Sequence, residues 1–311
     1  MNTPLRLIFM GTPDFAVATL ESLLAWPGGQ VVAVVTAPDK PAGRGRQLQG
    51  SAVKEAALAH GLPVLQPTNL KSPEFQAELR SYAADLQVVV AFRMLPEAVW
   101  NMPRLGSINI HASLLPQYRG AAPINWALIH GETETGVTSF FLRHEIDTGD
   151  LILQDRVPIA PEDDFGSLYN KLKVAGAALA RRSVEAIAAG NAPSTPQPES
   201  GDLRPAPKLS KETGRLDFSQ PAARLVNLVR GLSPVPTAFT TLPDGRSMKV
   251  FRAQALPFEG EAPAPGSWDS DGKKHLRVAT SIGWLDLLEV QVEGKKRLGI
   301  EELLRGFRLP A

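Results

Sequence analysis

Short apolar runs alternate with amphipathic stretches through the first half of the chain. The run Leu5–Met10 is followed by a stretch with Phe15, Leu20 and Leu23 on one face. Apolar residues at this spacing indicate a helix. The next run, Gln30–Thr36, is apolar throughout its centre, as is typical of a strand buried on both faces of a parallel sheet. The opening segment therefore predicts a β-α-β unit.

The same alternation continues to about residue 155. Further strand patterns occupy Leu62–Leu65, Leu86–Ala91, Ser107–His111, Phe140–Leu142 and Leu151–Leu153. Ser167–Ala189 then repeats apolar residues at helical spacing and stops at Gly190. Strands separated by helices predict the α/β class, with a doubly wound, mostly parallel sheet.

A proline-rich segment divides this half from a second pattern. Asn191–Pro198 holds three prolines within six residues, so it can neither continue a helix nor pair in a central strand. Short strand patterns follow, including a hairpin turn at Asp244. They favour a small β-barrel of the oligonucleotide-binding type. We predict domains at residues 1–190 and 208–311, joined by a linker at 191–207.

The composition is that of a globular protein in a reducing compartment. The 311 residues include no cysteine, which excludes disulfides, thiolate metal sites and cysteine nucleophiles. Hydrophobic residues make up 43% and charged residues 21%, which excludes disordered and fibrous classes. The apolar runs are far shorter than a membrane span, and no signal peptide is predicted. We expect a cytoplasmic monomer with no membrane segment and no bound metal.

Charge is distributed unevenly, although the formal net charge is only +1. Residues 1–200 carry 16 basic and 19 acidic side chains, whereas residues 201–311 carry 17 and 13. A second half that faces a polyanion is one interpretation, and an ordinary basic domain is the other.

The predicted strand Ser107–His111 carries polar side chains on one face. With a period of two, Ser107, Asn109 and His111 share that face at the carboxyl end of the strand, where open α/β sheets bind ligands. Asn109 is an amide donor suited to an oxyanion, and His111 can transfer a proton near neutral pH. A polar strand at a sheet edge is the alternative.

A carboxylate is needed to set the charge and tautomer of His111. Asp147 is the first candidate, because it lies in a turn between two strand patterns; Glu145 and Asp150 are the alternatives. A purely structural role for Asp147 in the turn beside Gly149 is also open. Without a cysteine, or a serine in a nucleophile elbow, we expect an external nucleophile to attack a carbonyl group directly.

A set of short motifs runs along nearly the whole chain. The central ones are Asn109-x-His111-x-Ser113-Leu114-Leu115-Pro116, Arg119-Gly120 and Asp147-x-Gly149-Asp150. Others follow the same order: Lys40–Arg46, Tyr118–Ile124, Arg230–Pro234 and Gly294–Arg297. Together they resemble the 10-formyltetrahydrofolate-dependent formyltransferases, and most of all the bacterial members that formylate methionyl initiator tRNA. Each piece alone is modest, whereas the combination is specific.

The resemblance implies a Rossmann-like N-terminal folate domain and a C-terminal barrel that touches tRNA. It implies that Asn109, His111 and Asp147 form the catalytic trio. It implies folate contacts in two loops, at Ser113, Leu114, Leu115 and Pro116 and at Phe92, Arg93, Met94 and Leu95. Arg93 departs from the family, which usually has glycine at this position.

The implied reaction is transfer of a formyl group from 10-formyltetrahydrofolate to the α-amino group of methionyl initiator tRNA, for translation initiation. Asn109 and His111 would stabilise the oxyanion, and Asp147 would orient His111 and help to accept a proton. A formyltransferase for sugar nucleotides or small amines, a formyl-folate hydrolase and a non-enzymatic nucleic-acid-binding protein are the alternatives.

Two basic segments are expected to contact the tRNA. The loop Asp39–Gln49 is too polar to bury itself, and its arginines offer forked donors to phosphates or bases. Its cations are Lys40, Arg44 and Arg46. The second segment contains Lys295, Lys296 and Arg297. A solvated lid over the folate and a solvated turn are the respective alternatives.

Overall fold

The computed structural model of the protein describes residues 3–42, 47–198 and 201–309. The chain folds into two compact units. The first comprises Met1–Gly120, Glu134–Pro158 and Tyr169–Pro205, and the second comprises Ala121–Thr133, Ile159–Leu168 and Ala206–Ala311. The sequence predicts two continuous domains, whereas these units are discontinuous.

A seven-stranded sheet forms the centre of the first unit. In chain order the elements are β1 (Leu5–Gly11), α1 (Asp14–Leu24), β2 (Gly29–Val35), β3 (Lys40–Ala42), β4 (Gln47–Gln49), α2 (Ala52–Ala59), β5 (Val64–Leu65), α3 (Pro73–Ser81), β6 (Leu86–Val90), α4 (Glu97–Trp100), β7 (Ser107–His111), α5 (Pro123–Ile129), β8 (Glu134–Phe141), β9 (Leu151–Pro158) and α6 (Phe165–Ala188). Of these, α5 lies in the second unit and α6 begins there. The strand order is β5-β2-β1-β6-β7-β8-β9.

The first five strands of that order are parallel, and β8 and β9 are antiparallel to their neighbours. The chain winds outward from β1 to β5 and then restarts on the other side at β6. Open sheets bind ligands beside such a reversal. The predicted doubly wound, mostly parallel sheet is confirmed.

Strand burial explains why these segments pair in the centre of a sheet. Leu7, Ile8 and Phe9 in β1 are at most 1% exposed, and all five residues of β6 are buried. Strands that are apolar on both faces need cover on both faces, and the helices between them provide it. Ser51 and Ser72 cap α2 and α3 by accepting backbone N–H groups.

The second unit contains an antiparallel sheet. After a short 3₁₀ helix (Glu212–Gly214) come α7 (Ala222–Leu232), β10 (Ala238–Thr241), β11 (Ser247–Leu256), β12 (Trp268–Ser270), β13 (Leu276–Ala279), β14 (Trp284–Val292), β15 (Leu298–Gly299) and α8 (Ile300–Leu304). The strand order is β10-β11-β14-β13-β12, and β15 also pairs with β14. Leu225 and Val229 of α7 and Leu303 of α8 pack with the sheet residues Val250 and Leu287 in one core.

The discontinuity of the second unit has a visible cause. The buried side-chain amide of Asn125, in α5, donates to the Gly231 carbonyl at the end of α7, at 2.7 Å. A Cβ at Gly231 would lie 2.6 Å from Ile129 Cγ1 and 3.1 Å from the Asn125 carbonyl oxygen. The two helices therefore approach at a glycine, and α5 belongs with the unit that contains α7.

None of the helices in the described ranges has both the length and the apolar character needed to cross a membrane.

The close contact at Gly231 predicts whether a substitution there raises or lowers the free energy of unfolding. In an exposed helix, glycine to alanine stabilises by about 0.5–1 kcal/mol. At Gly231 the added methyl group would instead force the backbones of α5 and α7 apart. We expect Gly231→Ala to lower the free energy of unfolding by about 1–3 kcal/mol, measured by urea denaturation.

The matched control is Gly306→Ala, because a Cβ at Gly306 meets open space. It should leave the unfolding midpoint nearly unchanged. A Gly231→Ala protein as stable as the unsubstituted protein would contradict this account of how α5 and α7 pack.

Candidate active site

β7 holds the polar face in the interior of the sheet. It lies between β6 and β8, with Asn109 opposite Val89 and Phe140, and His111 opposite Thr138. The alternative of a polar edge strand is therefore wrong. The hydroxyl of Ser107, at the start of the strand, donates to the Trp100 carbonyl at 2.6 Å and is thereby satisfied locally.

His111 has a fixed ring orientation. Its Nε2 lies 2.8 Å from the carbonyl oxygen of Tyr118. A carbonyl can only accept, so Nε2 carries the hydrogen in this contact. The other ring nitrogen, Nδ1, lies 3.7 Å from Asp147 Oδ2, and both side chains are about nine-tenths buried.

This arrangement determines what the pair can do chemically. In a neutral imidazole with hydrogen on Nε2, Nδ1 presents a lone pair toward the carboxylate of Asp147. A protonated imidazole would offer N–H groups to both Tyr118 and Asp147. At 3.7 Å, Nδ1 and Oδ2 are too far apart for a hydrogen bond, so Nδ1 is left able to accept a proton from a group that lies next to it.

Backbone contacts position the carboxylate of Asp147. Its Oδ2 accepts the backbone N–H of Gly120 at 2.9 Å. The side-chain amide of Gln197 donates to the carbonyl oxygens of Asp147 and Gly149, at 2.9 and 2.8 Å. A Cβ at Gly149 would lie 1.6 Å from the Phe141 carbonyl oxygen, so only glycine fits this turn.

The two residues that face the His111 ring both have left-handed backbones. φ is +61° at Tyr118 and +55° at Asp147. Such values cost of order 1 kcal/mol or more for residues other than glycine, and they persist only where surrounding contacts enforce them. Strain of this kind is typical of functional sites.

The other acidic candidates in this turn have different surroundings. Asp150 Oδ2 accepts from Arg143 and Ser194, each at 2.8 Å, and Glu145 is exposed. Of the three carboxylates considered, Asp147 is the one within 4 Å of His111. Its catalytic role stays a prediction.

Asn109 has an unsatisfied buried atom. Within the described residues its Oδ1 accepts no hydrogen bond, although the atom is buried. A buried unpaired acceptor costs free energy, so such an atom is typical of a site that a ligand completes. A role for the Asn109 amide in substrate binding stays a prediction.

The segment Ser113–Pro116 is closed by hydrogen bonds. The Ser113 hydroxyl donates to the Gln117 carbonyl at 2.6 Å, and Ser113 is fully buried. Thr138 Oγ1 donates to the Ser113 carbonyl and accepts the N–H of Leu115. Leu114 and Pro116 are partly exposed. Folate contact by this loop stays a prediction, with Ser113 as its internal support.

The loop that follows β6 contains Phe92, Arg93, Met94 and Leu95. Arg93 turns its guanidinium toward the carbonyl oxygens of Pro67 and Thr68, the latter at 3.1 Å. Burial lowers the pKa of Arg93 from its ordinary value. Leu95 is buried, whereas Met94 is 69% exposed.

The described ranges include only some of the residues that are predicted to contact tRNA. Lys40 is exposed in β3, which pairs with β4, whereas Arg44 and Arg46 lie outside the described residues. Next to β3, Asp39 is held by Lys54 Nζ at 2.5 Å and by the Gln66 amide at 2.7 Å. The Gln66 hydrogen bond is the main reason that the pKa of Asp39 is lowered.

In the second unit the basic turn after β14 is exposed at Lys295 and Lys296. Arg297 differs from them, because it forms two hydrogen bonds to Glu289 at 2.7 and 2.8 Å and lies 4.1 Å above the Phe251 ring. The bond to Glu289 raises the pKa of Arg297. The described residues contain no cluster of three or more side chains suited to a metal ion.

The sequence does not predict three contacts within the site, although Tyr118 and Gly120 both lie in motifs named above. The Tyr118 carbonyl and the Gly120 N–H are backbone groups, which no residue type marks. Gln197 lies in the predicted linker, yet it is 7% exposed, and Thr195 pairs with Leu151 in an isolated bridge. This part of the proline-rich segment is packed, because the side-chain amide of Gln197 donates to the carbonyl oxygens of the turn that contains Asp147.

Family comparisons cover most of the chain. Residues 5–184 match the formyl transferase family, and residues 208–308 match the formyl transferase C-terminal domain. A methionyl-tRNA formyltransferase of Bacteroides fragilis is 55% identical over 98% of this chain and 96% of that protein. A methionyl-tRNA formyltransferase of Flavobacterium johnsoniae is 48% identical over 97% and 96%.

Solved structures share the fold at low identity. The N-formyltransferase from Helicobacter canadensis, in complex with folinic acid and dTDP-3-aminofucose, has a TM-score of 0.66 at 17% identity and covers 94% of this chain and all of its own. HypX from Aquifex aeolicus with tetrahydrofolic acid has a TM-score of 0.62 at 20% identity, over 97% of this chain and 47% of its own. With both family segments and relatives of this identity, the chain belongs to the formyl transferase family.

Proposed function

We propose that this protein transfers a formyl group from 10-formyltetrahydrofolate to the α-amino group of methionyl initiator tRNA. One observation carries this conclusion: relatives named methionyl-tRNA formyltransferase are 48–55% identical along nearly the whole chain, so the identity extends through both units. The solved sugar formyltransferase is 17% identical and supports the fold alone.

The reaction exchanges one carbon–nitrogen bond for another. The neutral α-amine attacks the formyl carbon, and the carbonyl oxygen becomes an oxyanion in the tetrahedral intermediate. Collapse breaks the bond to the folate nitrogen, which takes up a proton, while the new amide nitrogen loses one. The site therefore has to stabilise an oxyanion and carry one proton from the incoming to the leaving nitrogen.

Asn109 suits the first task. Asn109 lies on β7, two residues before His111. The oxygen of its side-chain amide is buried and has no hydrogen-bond partner among the described residues. The N–H end can donate to the oxyanion while the oxygen accepts from the attacking amine. A ligand that uses both ends leaves no buried group unpaired.

His111 and Asp147 suit the second task. Since Nε2 donates to Tyr118, Nδ1 is the nitrogen that faces the reacting groups. With Asp147 at 3.7 Å, Nδ1 can take a proton and pass it to the leaving nitrogen. We assign Asp147 to stabilising the protonated ring and to accepting a proton from the incoming ammonium group.

Two loops are proposed to bind the folate, Phe92–Leu95 and Ser113–Pro116. Both leave the carboxyl ends of neighbouring parallel strands, β6 and β7, which is where this sheet type binds ligands. For tRNA we propose Lys40, Arg44, Arg46, Lys295, Lys296 and Arg297. Because Arg297 is paired with Glu289, Lys295 and Lys296 are the freer charges of that turn.

We also propose a cytoplasmic monomer. Charged initiator tRNA and the formyl donor meet in the compartment of translation, which supports the cytoplasmic assignment.

The carboxylate of Asp147 should be required for chemistry rather than for folding. Asp147→Asn keeps the shape and the contact with Gly120 but removes the negative charge that faces Nδ1. We expect kcat to fall by about 10²–10³, with a thermal melt within a few degrees of the unsubstituted protein.

Glu145→Gln removes a charge from the same turn and serves as the control, with kcat expected within twofold of the unsubstituted value. Equal losses of kcat in the two variants would mean that the reaction depends on the net negative charge of this turn and not on the position of the Asp147 carboxylate. No loss in Asp147→Asn would rule out its proposed role.

The turn after β14 should contribute phosphate contacts. Lys295→Gln/Lys296→Gln should weaken binding of charged tRNA and flatten the dependence of log K on log salt by about 1–2, leaving the KM for the formyl donor unchanged. Filter binding at several salt concentrations measures the slope.

Arg181→Gln/Arg182→Gln removes the same number of charges from α6 and is the control. If both double variants change the slope equally, the effect comes from net charge, and the proposed phosphate contacts of Lys295 and Lys296 are wrong.

A further inference from the structure

Three consecutive residues lie against both members of the proposed proton-transfer pair. The first, Tyr118, accepts His111 Nε2–H on its carbonyl oxygen at 2.8 Å. The third, Gly120, donates its N–H to Asp147 Oδ2 at 2.9 Å. Between them is Arg119, whose side chain is half-buried. The distance of 3.7 Å from Nδ1 to Oδ2 therefore depends on how this short segment lies against the Asp147 turn.

The Arg119 side chain reaches the same turn through Gln197. Its Nε and Nη2 donate to Gln197 Oε1 at 3.1 and 2.7 Å. The amide nitrogen of Gln197 donates in turn to the carbonyl oxygens of Asp147 and Gly149. A guanidinium only donates and a carbonyl only accepts, so the opposite orientation of the amide would break all four hydrogen bonds. Arg119 thus fixes which end of the amide faces the turn.

The segment that contains Arg119 is held independently on its other side. The Tyr118 N–H donates to the Arg204 carbonyl at 2.7 Å. The side chain of Gln117 donates to the Asp202 carbonyl and accepts the Arg204 N–H, each at 2.9 Å. Loss of the side-chain contacts of Arg119 would therefore release the turn that contains the carboxylate and leave the Tyr118 carbonyl in place.

We infer that Arg119 and Gln197 are positioning residues for the proton transfer, and that they act through the Asp147 carboxylate. This inference rests on the proposed function, in which that carboxylate faces His111 Nδ1 while the amine attacks. A reacting group misplaced by about 1 Å can cost of order 10² in rate, although the substrates still bind. The loss should therefore fall on kcat, with the KM values for the formyl donor and for charged tRNA unchanged.

A double-variant cycle with Asp147→Asn tests the inference. Gln197→Met keeps the length of the side chain and removes its hydrogen bonds, so we expect kcat to fall about 10–100-fold with both KM values within twofold. In the Asp147→Asn background the same substitution should lower kcat less than about threefold, because the carboxylate that Gln197 positions is already gone. Equal losses in the two backgrounds would overturn the inference.

The same cycle applies to Arg119, whose half-buried side chain keeps the test available if Gln197→Met does not fold. Arg119→Met should lower kcat about tenfold, and less than about twofold in the Asp147→Asn background. Arg119→Lys keeps a cationic donor and should recover part of the loss. If Arg119→Met instead raises the KM for charged tRNA and leaves kcat unchanged, the guanidinium binds a phosphate and the inference is overturned.

Two matched variants control for the loss of an amide or a guanidinium elsewhere. Gln76→Met removes a half-buried amide of α3 that donates to the Leu70 carbonyl at 3.3 Å. Arg156→Met removes an exposed guanidinium that is paired with Glu134. Both variants should keep kcat within about twofold of the unsubstituted value. A loss in either control equal to that of its partner variant would contradict the inference.

NMR spectra of the labelled protein decide the inference without turnover. The Gly120 amide proton donates to the Asp147 carboxylate, so its signal should move upfield in Gln197→Met and stay in place in Gln76→Met. The neutral His111 ring should keep its hydrogen on Nε2 in both variants. An unchanged Gly120 signal in Gln197→Met, or a hydrogen moved to Nδ1, would overturn the inference. If the unsubstituted protein does not formylate methionyl initiator tRNA, the proposed function fails, and these spectra still decide the inference.

Discussion

The hydrogen bond from His111 Nε2 to the Tyr118 carbonyl determines how the rest of the site can work. Imidazole has two nitrogens, and a carbonyl acceptor at 2.8 Å commits one of them to donating. The other nitrogen is thereby turned toward Asp147. In the proposed mechanism, a single backbone acceptor thus decides which ring nitrogen transfers the proton.

The surrounding chain is organised to hold that geometry. Tyr118 and Asp147 both adopt left-handed conformations, and the turn of Asp147 is fixed by the Gln197 amide and by a glycine contact at Gly149. These contacts leave little freedom in the distance between the carboxylate and the ring. A site that must carry a proton between two nitrogens gains from groups that do not need to reorganise during the reaction.

Periodicity made one part of the site predictable from sequence. Alternation along a strand places Asn109 and His111 on one face whatever surrounds them, and strand order places that face at the carboxyl edge of the sheet. Motif resemblance then distinguished Asp147 from Glu145 and Asp150, which spacing alone had left open. The proximity of Asp147 to His111 agrees with that choice.

Other features had no signal that a sequence could carry. The Tyr118 carbonyl is common to every residue type, and Gln197 stands in a segment whose prolines indicate an extended linker. The discontinuous second unit depends on long-range contacts such as that of Asn125 with Gly231, which local patterns do not encode. Composition indicates a basic second half, but it does not show that Arg297 is paired with Glu289.

The tautomer of His111 tests this account most directly. Long-range ¹H–¹⁵N correlation spectra of the uniformly labelled protein distinguish the two neutral forms, and comparison with His111→Ala assigns the signal among the five histidines. The neutral ring should carry hydrogen on Nε2 with an unprotonated Nδ1, and the charged ring should carry hydrogen on both nitrogens. A neutral ring with hydrogen on Nδ1 would contradict it, because Nε2 would then present a lone pair to the Tyr118 carbonyl.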